Sequence, residues 1–107
     1  MILNVHVEDQ TYPIEVPPAL LEDAAAFFDK MDQDMDNGWQ MSREWVESPT
    51  VEDRCRIVAD RLLTSLNNGE TRVVMMMAGY ILSRMPQVNT IRIDTAGEVQ
   101  QTELLSA

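Results

Sequence analysis

The sequence has only one cysteine, Cys55, and only one histidine, His6. A lone cysteine cannot form an internal disulfide bond. The usual zinc sites need several nitrogen and sulfur ligands, which one histidine and one cysteine cannot supply. Because Cys55 falls on a predicted helical stripe of apolar residues, we expect a buried, inert thiol rather than a nucleophile paired with His6.

Glycine and basic residues are also scarce. The four glycines are scattered, so no glycine-rich loop is present to hold a phosphate group. Eight basic residues stand against eighteen acidic ones, for a net charge of −10, and the excess falls in residues 1–53, with thirteen acidic and two basic residues. Phosphate groups and anionic lipids both need a basic surface, so we expect neither nucleic acid nor membrane as a partner. A basic protein partner, a cation or solubility alone would each explain the acidic excess.

Long apolar runs are absent. Residues 73–82 have no charged or amide side chain, but ten residues fall short of the roughly 20 that cross a membrane. Their methionine, alanine and leucine content predicts a central buried helix over 70–84, in which Gly79 indicates close packing of another backbone. Met75, Met76 and Met77 cover most faces of this helix. They predict either core packing alone or core packing with a self-association surface in a homodimer.

Periodicity predicts the elements before this helix. Alternating apolar and polar residues predict a β-hairpin over 2–16, with Pro13 at a sheet edge or a bulge. Apolar residues three and four apart predict an amphipathic helix over 18–36, which the Asn37-Gly38 pair would end. Residues 38–47 are interpreted as a connector with a short helical turn begun at Ser42.

A second helix is predicted after this connector, with Ser48 as its N-cap and Pro49 in the first position. Its buried stripe would consist of Val51, Cys55, Val58, Leu62 and Leu66. A third strand is predicted at 91–95, and residues 99–104 form either a fourth strand or a tail. The order predicts an α+β fold, with three helices on one face of a small, mostly antiparallel sheet. The length predicts one domain over 1–107, in which 96–107 is either part of the fold or a mobile tail.

The predicted first helix carries Asp29, Asp32, Asp34 and Asp36. Asp32-x-Asp34-x-Asp36 has the spacing that opens an EF-hand calcium loop, but the glycine and the closing glutamate of that loop are missing at the required positions. A solvated acidic helix face is therefore the preferred interpretation. A divalent-cation site made by Asp29, Asp32 and Asp36 is the alternative.

No arrangement of residues in the sequence is typical of a catalytic site. No Gly-x-Ser-x-Gly elbow accompanies the serine, histidine and aspartate residues. A charged helix face does not supply the cleft that separates the pKa values of an acid–base pair. We therefore expect no enzyme activity and no cofactor. An enzyme subunit completed by another chain is the alternative, and it predicts a deep pocket near Trp39 and Trp45, lined by His6 or an arginine.

Together these patterns predict a non-enzymatic protein-interaction or regulatory module. Its predicted interaction surface consists of Asp29, Asp32, Asp36, Trp39 and Trp45, and its predicted partner is a basic protein, with homodimerisation through Met75, Met76 and Met77 as a further interpretation. The chain opens without a basic stretch or cleavage site, so a cytoplasmic location is the default expectation.

Overall fold

A four-stranded mixed sheet and a layer of helices on one of its faces make up the molecule. The computed structural model describes residues 1–106. In chain order the elements are β1 (Ile2–Val7), β2 (Gln10–Glu15), α1 (Pro18–Asp23), α2 (Ala25–Asp36), β3 (Trp39–Met41), β4 (Glu44–Val46), α3 (Val51–Asn67), α4 (Thr71–Arg84), β5 (Val88–Ile93), a 3-10 turn (Val99–Gln101) and β6 (Glu103–Ser106).

The strand order in the main sheet is β2-β1-β5-β6. The β1–β2 and β5–β6 pairs are antiparallel, and the central β1–β5 pair is parallel. The predicted α+β fold with a mostly antiparallel sheet is thus confirmed. Pro13 lies on the edge strand β2, where its missing N–H group leaves no gap inside the sheet.

One face of the sheet is buried and the other is open. Leu3 and Val5 of β1 are fully buried, and Val5 pairs with the equally buried Ile91 of β5. Their neighbours His6 and Arg92, which also pair with each other, are half-buried and exposed. Because side chains alternate along a strand, this pattern places the core and the helices on the same side.

The apolar run forms α4, which the sequence predicted over 70–84. Met77 and Tyr80 are buried, whereas Met75 and Met76 are half-buried and pack against the core. Side chains, rather than the predicted second backbone, approach Gly79: a Cβ atom there would lie 3.1 Å from Phe28 Cζ. No helix in the described part of the chain has the length and apolar character needed to span a membrane.

The predicted helix 18–36 consists of two helices. The turn at Ala24, with φ −99° and ψ 8°, separates α1 from α2. Leu20 of α1 and Phe28 of α2 both approach Gly79 of α4, within 3.5 Å of where a Cβ atom of Gly79 would lie. Because residues four and eight apart stay on one side across the junction, the apolar spacing alone predicts a single helix. The C-terminal boundary agrees with the prediction, since α2 ends at Asp36.

Residues 38–47 do not form the predicted helical turn. β3 and β4 pair as a short antiparallel ladder, and Ser42 between them adopts a left-handed φ of 56°. We call residues 39–46 the tryptophan hairpin. The N-cap of α3 also differs, because Thr50 and Asp53 form a capping box in place of the predicted Ser48. Val51 is exposed at the start of α3 and does not belong to its buried stripe.

Residues 96–106 contain regular structure. The 3-10 turn is followed by β6, whose Leu104 pairs with Ile91 of β5. Asp94 stabilises the loop between β5 and the 3-10 turn, because its carboxylate accepts hydrogen bonds from the N–H groups of Ala96 and Glu98. A fourth strand is therefore present, but it lies at Glu103–Ser106 rather than over the predicted 99–104, and Ala107 lies outside the described residues.

Candidate interaction surface

Helix α2 presents its aspartates beside its buried stripe. Phe28, Met31 and Met35 of this helix are buried against the core. Asp29, Asp32 and Asp36 recur at spacings of three and four residues, so they lie along one side of the same helix. We call these three aspartates the acidic face.

Asp32 sits at the centre of an ion-pair network that joins three helices. Its carboxylate accepts a hydrogen bond from the Tyr80 hydroxyl of α4. Arg84 Nε donates to Asp32 Oδ2 over 2.9 Å, and Arg54 Nη1 of α3 donates to Asp32 Oδ1 over 3.3 Å. Only 26% of the Asp32 side chain is exposed. Asp32 therefore fastens α2 to α3 and α4 and is not a free surface charge.

The two arginines also reach the outer members of the acidic face. Arg84 Nη2 lies 3.0 Å from Asp29 Oδ1, and Arg54 Nη2 lies 2.9 Å from Asp36 Oδ1. The Asp29 and Asp36 side chains stay 70% and 57% exposed. The structure brings the three predicted aspartates together, but it couples each of them to a cation of the same chain.

Hydrogen bonding sets the ionisation of this network. Burial opposes the charged form of Asp32, but the hydrogen bonds from Tyr80, Arg84 and Arg54 outweigh it and lower the pKa of the Asp32 carboxyl. Burial and the hydrogen bond to Asp32 raise the pKa of Tyr80. At neutral pH the network therefore holds an ionised aspartate and a neutral tyrosine.

The arginines bear on the calcium alternative as well. Both oxygens of Asp32 already accept hydrogen bonds from cationic groups, and Asp29 and Asp36 each share an arginine with Asp32. Within residues 1–106, no three acidic, histidine or cysteine side chains are grouped closely enough to hold a metal ion. A divalent cation would have to displace both arginines to use these oxygens.

The tryptophan hairpin places its two indoles differently. Trp39 of β3 pairs with Val46 and is half-buried against the core. Trp45 of β4 is 55% exposed. Its ring lies against Gly38, where an added Cβ atom would come within 2.6 Å of Trp45 Cζ2. Of the two predicted tryptophans, Trp45 is the one with most of its surface open.

Residues 97–100 hold the tryptophan hairpin in place. Ser42 Oγ donates to the Gly97 carbonyl over 2.7 Å and accepts from the Val99 N–H over 2.8 Å. Gln100 Nε2 donates to the Met41 carbonyl over 2.8 Å. These bonds satisfy the turn and account for the left-handed backbone of a residue other than glycine at Ser42.

A cavity of about 360 Å³ opens beside this junction. Carboxylates of Asp60, Asp94 and Glu98 line it, with Ser42 among its polar groups. Neither His6 nor an arginine is among its lining residues, and neither tryptophan contributes to it. The cavity therefore differs from the pocket that the enzyme-subunit alternative predicts.

The remaining candidate residues lie apart from this surface. Burial raises the pKa of the Cys55 thiol to about 12, so Cys55 is a buried thiol and not a thiolate at neutral pH. The His6 Nδ1 atom is 3.2 Å from the Thr11 hydroxyl on the neighbouring strand. Met75, Met76 and Met77 are not among the exposed large apolar residues, so the predicted self-association surface is not an open patch on α4.

Two residues of the network were not predicted from the sequence. Tyr80 and Arg84 lie 48 and 52 positions after Asp32, too far for any local spacing to relate them. Their own separation of four residues places them on one face of α4, where Arg84 also stacks 5.3 Å from the centre of the Tyr80 ring. A tyrosine and an arginine on one side of an otherwise apolar helix are the signal that the sequence offers.

Most of the acidic side chains have no cationic partner in the described chain. Six of the eighteen carboxylates form ion pairs, which leaves twelve, and five of the eight cations form ion pairs, which leaves three. The twelve are Glu8, Asp9, Glu15, Glu22, Asp23, Glu44, Glu47, Glu52, Asp60, Glu70, Asp94 and Glu98. The surface thus carries a large negative charge outside the acidic face.

Fold and surface together define a small α+β protein with an acidic exterior and an exposed tryptophan. No protein-family model, curated protein or solved structure matches this chain. Its functional interpretation therefore depends on the geometry and charges described above.

Proposed function

We propose that this protein is a non-enzymatic binding module whose acidic surface takes a basic protein partner. The observation that supports the proposal is that, within residues 1–106, twelve carboxylates and only three arginines form no ion pair. An uncompensated charge of this size creates a field that concentrates oppositely charged proteins and raises their association rate. The partner's basic surface would supply the cations that this chain lacks.

The acidic face contributes less to such a field than the sequence suggests. Arg54 and Arg84 compensate much of the charge of Asp29, Asp32 and Asp36. The unpaired carboxylates on and beside the tryptophan hairpin, Glu44 and Glu47, have no such compensation. We therefore place the docking surface at the tryptophan hairpin, with Trp45 as its apolar member and Asp36 at its border.

The test compares two variants with the same net charge. Wild-type protein, Glu44→Gln/Glu47→Gln and the matched control Glu8→Gln/Glu15→Gln are immobilised, and proteins captured from lysate at about 50 mM and about 500 mM salt are identified by mass spectrometry. We expect basic proteins on the wild type at low salt, their loss at high salt, and a weaker signal for the hairpin variant than for the control.

Two outcomes would contradict the proposal. One is capture with no enrichment of basic proteins over uncharged beads. The other is retention that does not change between the two salt concentrations, since screening must weaken an electrostatic encounter. Equal losses in the two variants would keep the basic partner but remove the hairpin as its docking surface.

Divalent-cation binding by the acidic face stays a second hypothesis with its own test. Calorimetric titration with calcium and with magnesium distinguishes it from the first. Binding heats that disappear in Asp32→Asn/Asp36→Asn would support it, and heats equal in both proteins would reject it. We expect equal heats because the arginines already occupy these carboxylates.

A further inference from the structure

Trp45 is the most exposed large apolar side chain in the described chain, with 55% of its surface open. Its position is defined, because its six-membered ring packs against Gly38. A Cβ atom at Gly38 would lie 2.6 Å from Trp45 Cζ2 and 2.9 Å from Cε2, so only glycine permits this contact. The indole therefore packs against Gly38 while more than half of the Trp45 surface stays exposed.

The surroundings of this indole favour a cation over an anion or a neutral group. Glu44 and Glu47 are close to Trp45 in sequence and form no ion pair in the described chain, and Asp36, two residues before Gly38, keeps 57% of its side chain exposed while it pairs with Arg54. Arg43 is the nearest cation in sequence, and the chain as a whole carries a charge of −10. The face of an indole ring is itself the most favourable aromatic site for a cation.

We propose that Trp45 is the platform on which an arginine side chain of the basic partner stacks. This inference rests on the proposed function and deepens it by naming the group that docks. A guanidinium suits the site because it is planar, weakly hydrated and able to lie flat on an aromatic ring while it donates hydrogen bonds to neighbouring carboxylates. Lysine lacks the planar shape and binds less tightly here.

The same chain already contains a smaller version of this contact. Arg84 lies 5.3 Å from the centre of the Tyr80 ring while it donates to Asp32 and Asp29. In that arrangement one guanidinium uses an aromatic face and two carboxylates at once. Trp45 and the Glu47 carboxylate, two residues further along the chain, offer the same kinds of group, with the cation supplied from outside.

The experiment uses three synthetic peptides with the full-length protein. The first carries several arginines, the second has lysine at those positions, and the third has citrulline, which keeps the planar shape without the charge. Affinity is measured by calorimetry at about 50 mM and about 500 mM salt. The two indole N–H signals are followed by NMR, and a Trp39→Phe variant assigns them. We expect the arginine peptide to shift the Trp45 signal and to bind more tightly than the lysine peptide, and the citrulline peptide to bind least.

The decisive variant is Trp45→Leu, which keeps an apolar side chain and removes the aromatic face. We expect it to weaken arginine-peptide binding about three- to thirty-fold. Phe27→Leu is the matched control, because Phe27 is 45% exposed on α2, away from the tryptophan hairpin, and its loss should leave the affinity unchanged. Thermal unfolding verifies that both variants are folded before binding is compared.

The outcomes separate this inference from the proposed function. Salt-sensitive binding of the arginine peptide that is equal in wild type and Trp45→Leu overturns the platform and keeps the acidic binding module. Absence of salt-sensitive binding by wild type overturns both. Concentration-dependent dimerisation that Trp45→Leu abolishes, measured by sedimentation without peptide, would show that a second copy covers Trp45 and would overturn the platform.

Discussion

The acidic face and the tryptophan hairpin both contain residues that the sequence predicts to form an interaction surface. They differ in whether their carboxylates form ion pairs within the chain. Asp29, Asp32 and Asp36 share two arginines of α3 and α4. Glu44 and Glu47 form no ion pair with a cation of the described chain. Acidic density in a sequence therefore does not measure available charge. A carboxylate that pairs with an internal arginine joins elements of the fold, whereas one without a partner remains available to a cation from outside.

The largest effect should come from the centre of the network. We expect Asp32→Asn to lower the free energy of unfolding by about 3 kcal/mol, because it leaves Arg54, Arg84 and the Tyr80 hydroxyl without the carboxylate they share. Urea unfolding measures the change. Glu44→Gln on the tryptophan hairpin is the control and should change stability by less than about 0.5 kcal/mol.

An equal effect of these two substitutions would remove the distinction between a structural and an available carboxylate. Tyr80→Phe adds a check that leaves the charge in place. It should cost about 1 kcal/mol, since it removes one hydrogen bond and keeps the ring and both arginines.

The next effect concerns the support of the hairpin rather than its charge. We expect Gly38→Ala to destabilise the protein by about 2 kcal/mol, because Gly38 has a φ of 104° and its Cβ atom would overlap the Trp45 ring. Tryptophan fluorescence during urea unfolding follows both the stability and the exposure of the indole. Gly97→Ala is the control: its φ of 86° imposes similar backbone strain, but no atom lies within 4 Å of the added methyl group.

A Gly38→Ala effect no larger than that of Gly97→Ala would mean that backbone strain alone limits this position. The packing of the Trp45 ring on Gly38 would then not contribute to stability. A larger effect with a fluorescence shift would confirm that the ring rests on the glycine.

Sequence patterns predicted the helices and strands of this fold more completely than they predicted its surface. Local composition is sufficient for α4, and local periodicity is sufficient for the β1–β2 hairpin, since each depends on residues that are close together in the sequence. The tryptophan hairpin was missed because it depends on a left-handed Ser42 that bonds to Gly97 and Val99, more than 50 residues away. No rule of local propensity favours that backbone for serine.

The acidic face shows the same limit. Its aspartates are visible in the sequence as residues three and four apart. Arg84 and Tyr80 reach Asp32 only because α4 packs against α2 in the folded chain. The residues of a surface can thus be predicted from one element, whereas their ionic state depends on the neighbouring elements.

Acidification should destabilise the protein through the network around Asp32. Hydrogen bonds lower the pKa of folded Asp32 beneath its unfolded value of about 3.9. Its contribution is therefore complete above about pH 4 and is lost as the pH falls through the lower, folded value. We expect the stability of wild type to fall more steeply below about pH 4 than that of Asp32→Asn, by urea unfolding at several pH values. Parallel curves would mean that other carboxylates carry the acid sensitivity.

The smallest effect should come from the fourth aspartate of α2. Asp34 Oδ1 lies 2.6 Å from Lys30 Nζ, one helical turn away, and both side chains are more than half exposed. Exposed pairs at this spacing are screened by water and salt, so we expect Asp34→Asn to lower stability by about 0.3 kcal/mol at most. Urea unfolding of Asp34→Asn beside Asp32→Asn tests two aspartates two residues apart on one helix. If Asp34→Asn lowered the free energy of unfolding about as much as Asp32→Asn does, then the burial of Asp32 and its two arginines would not explain its contribution, since Asp34 has neither.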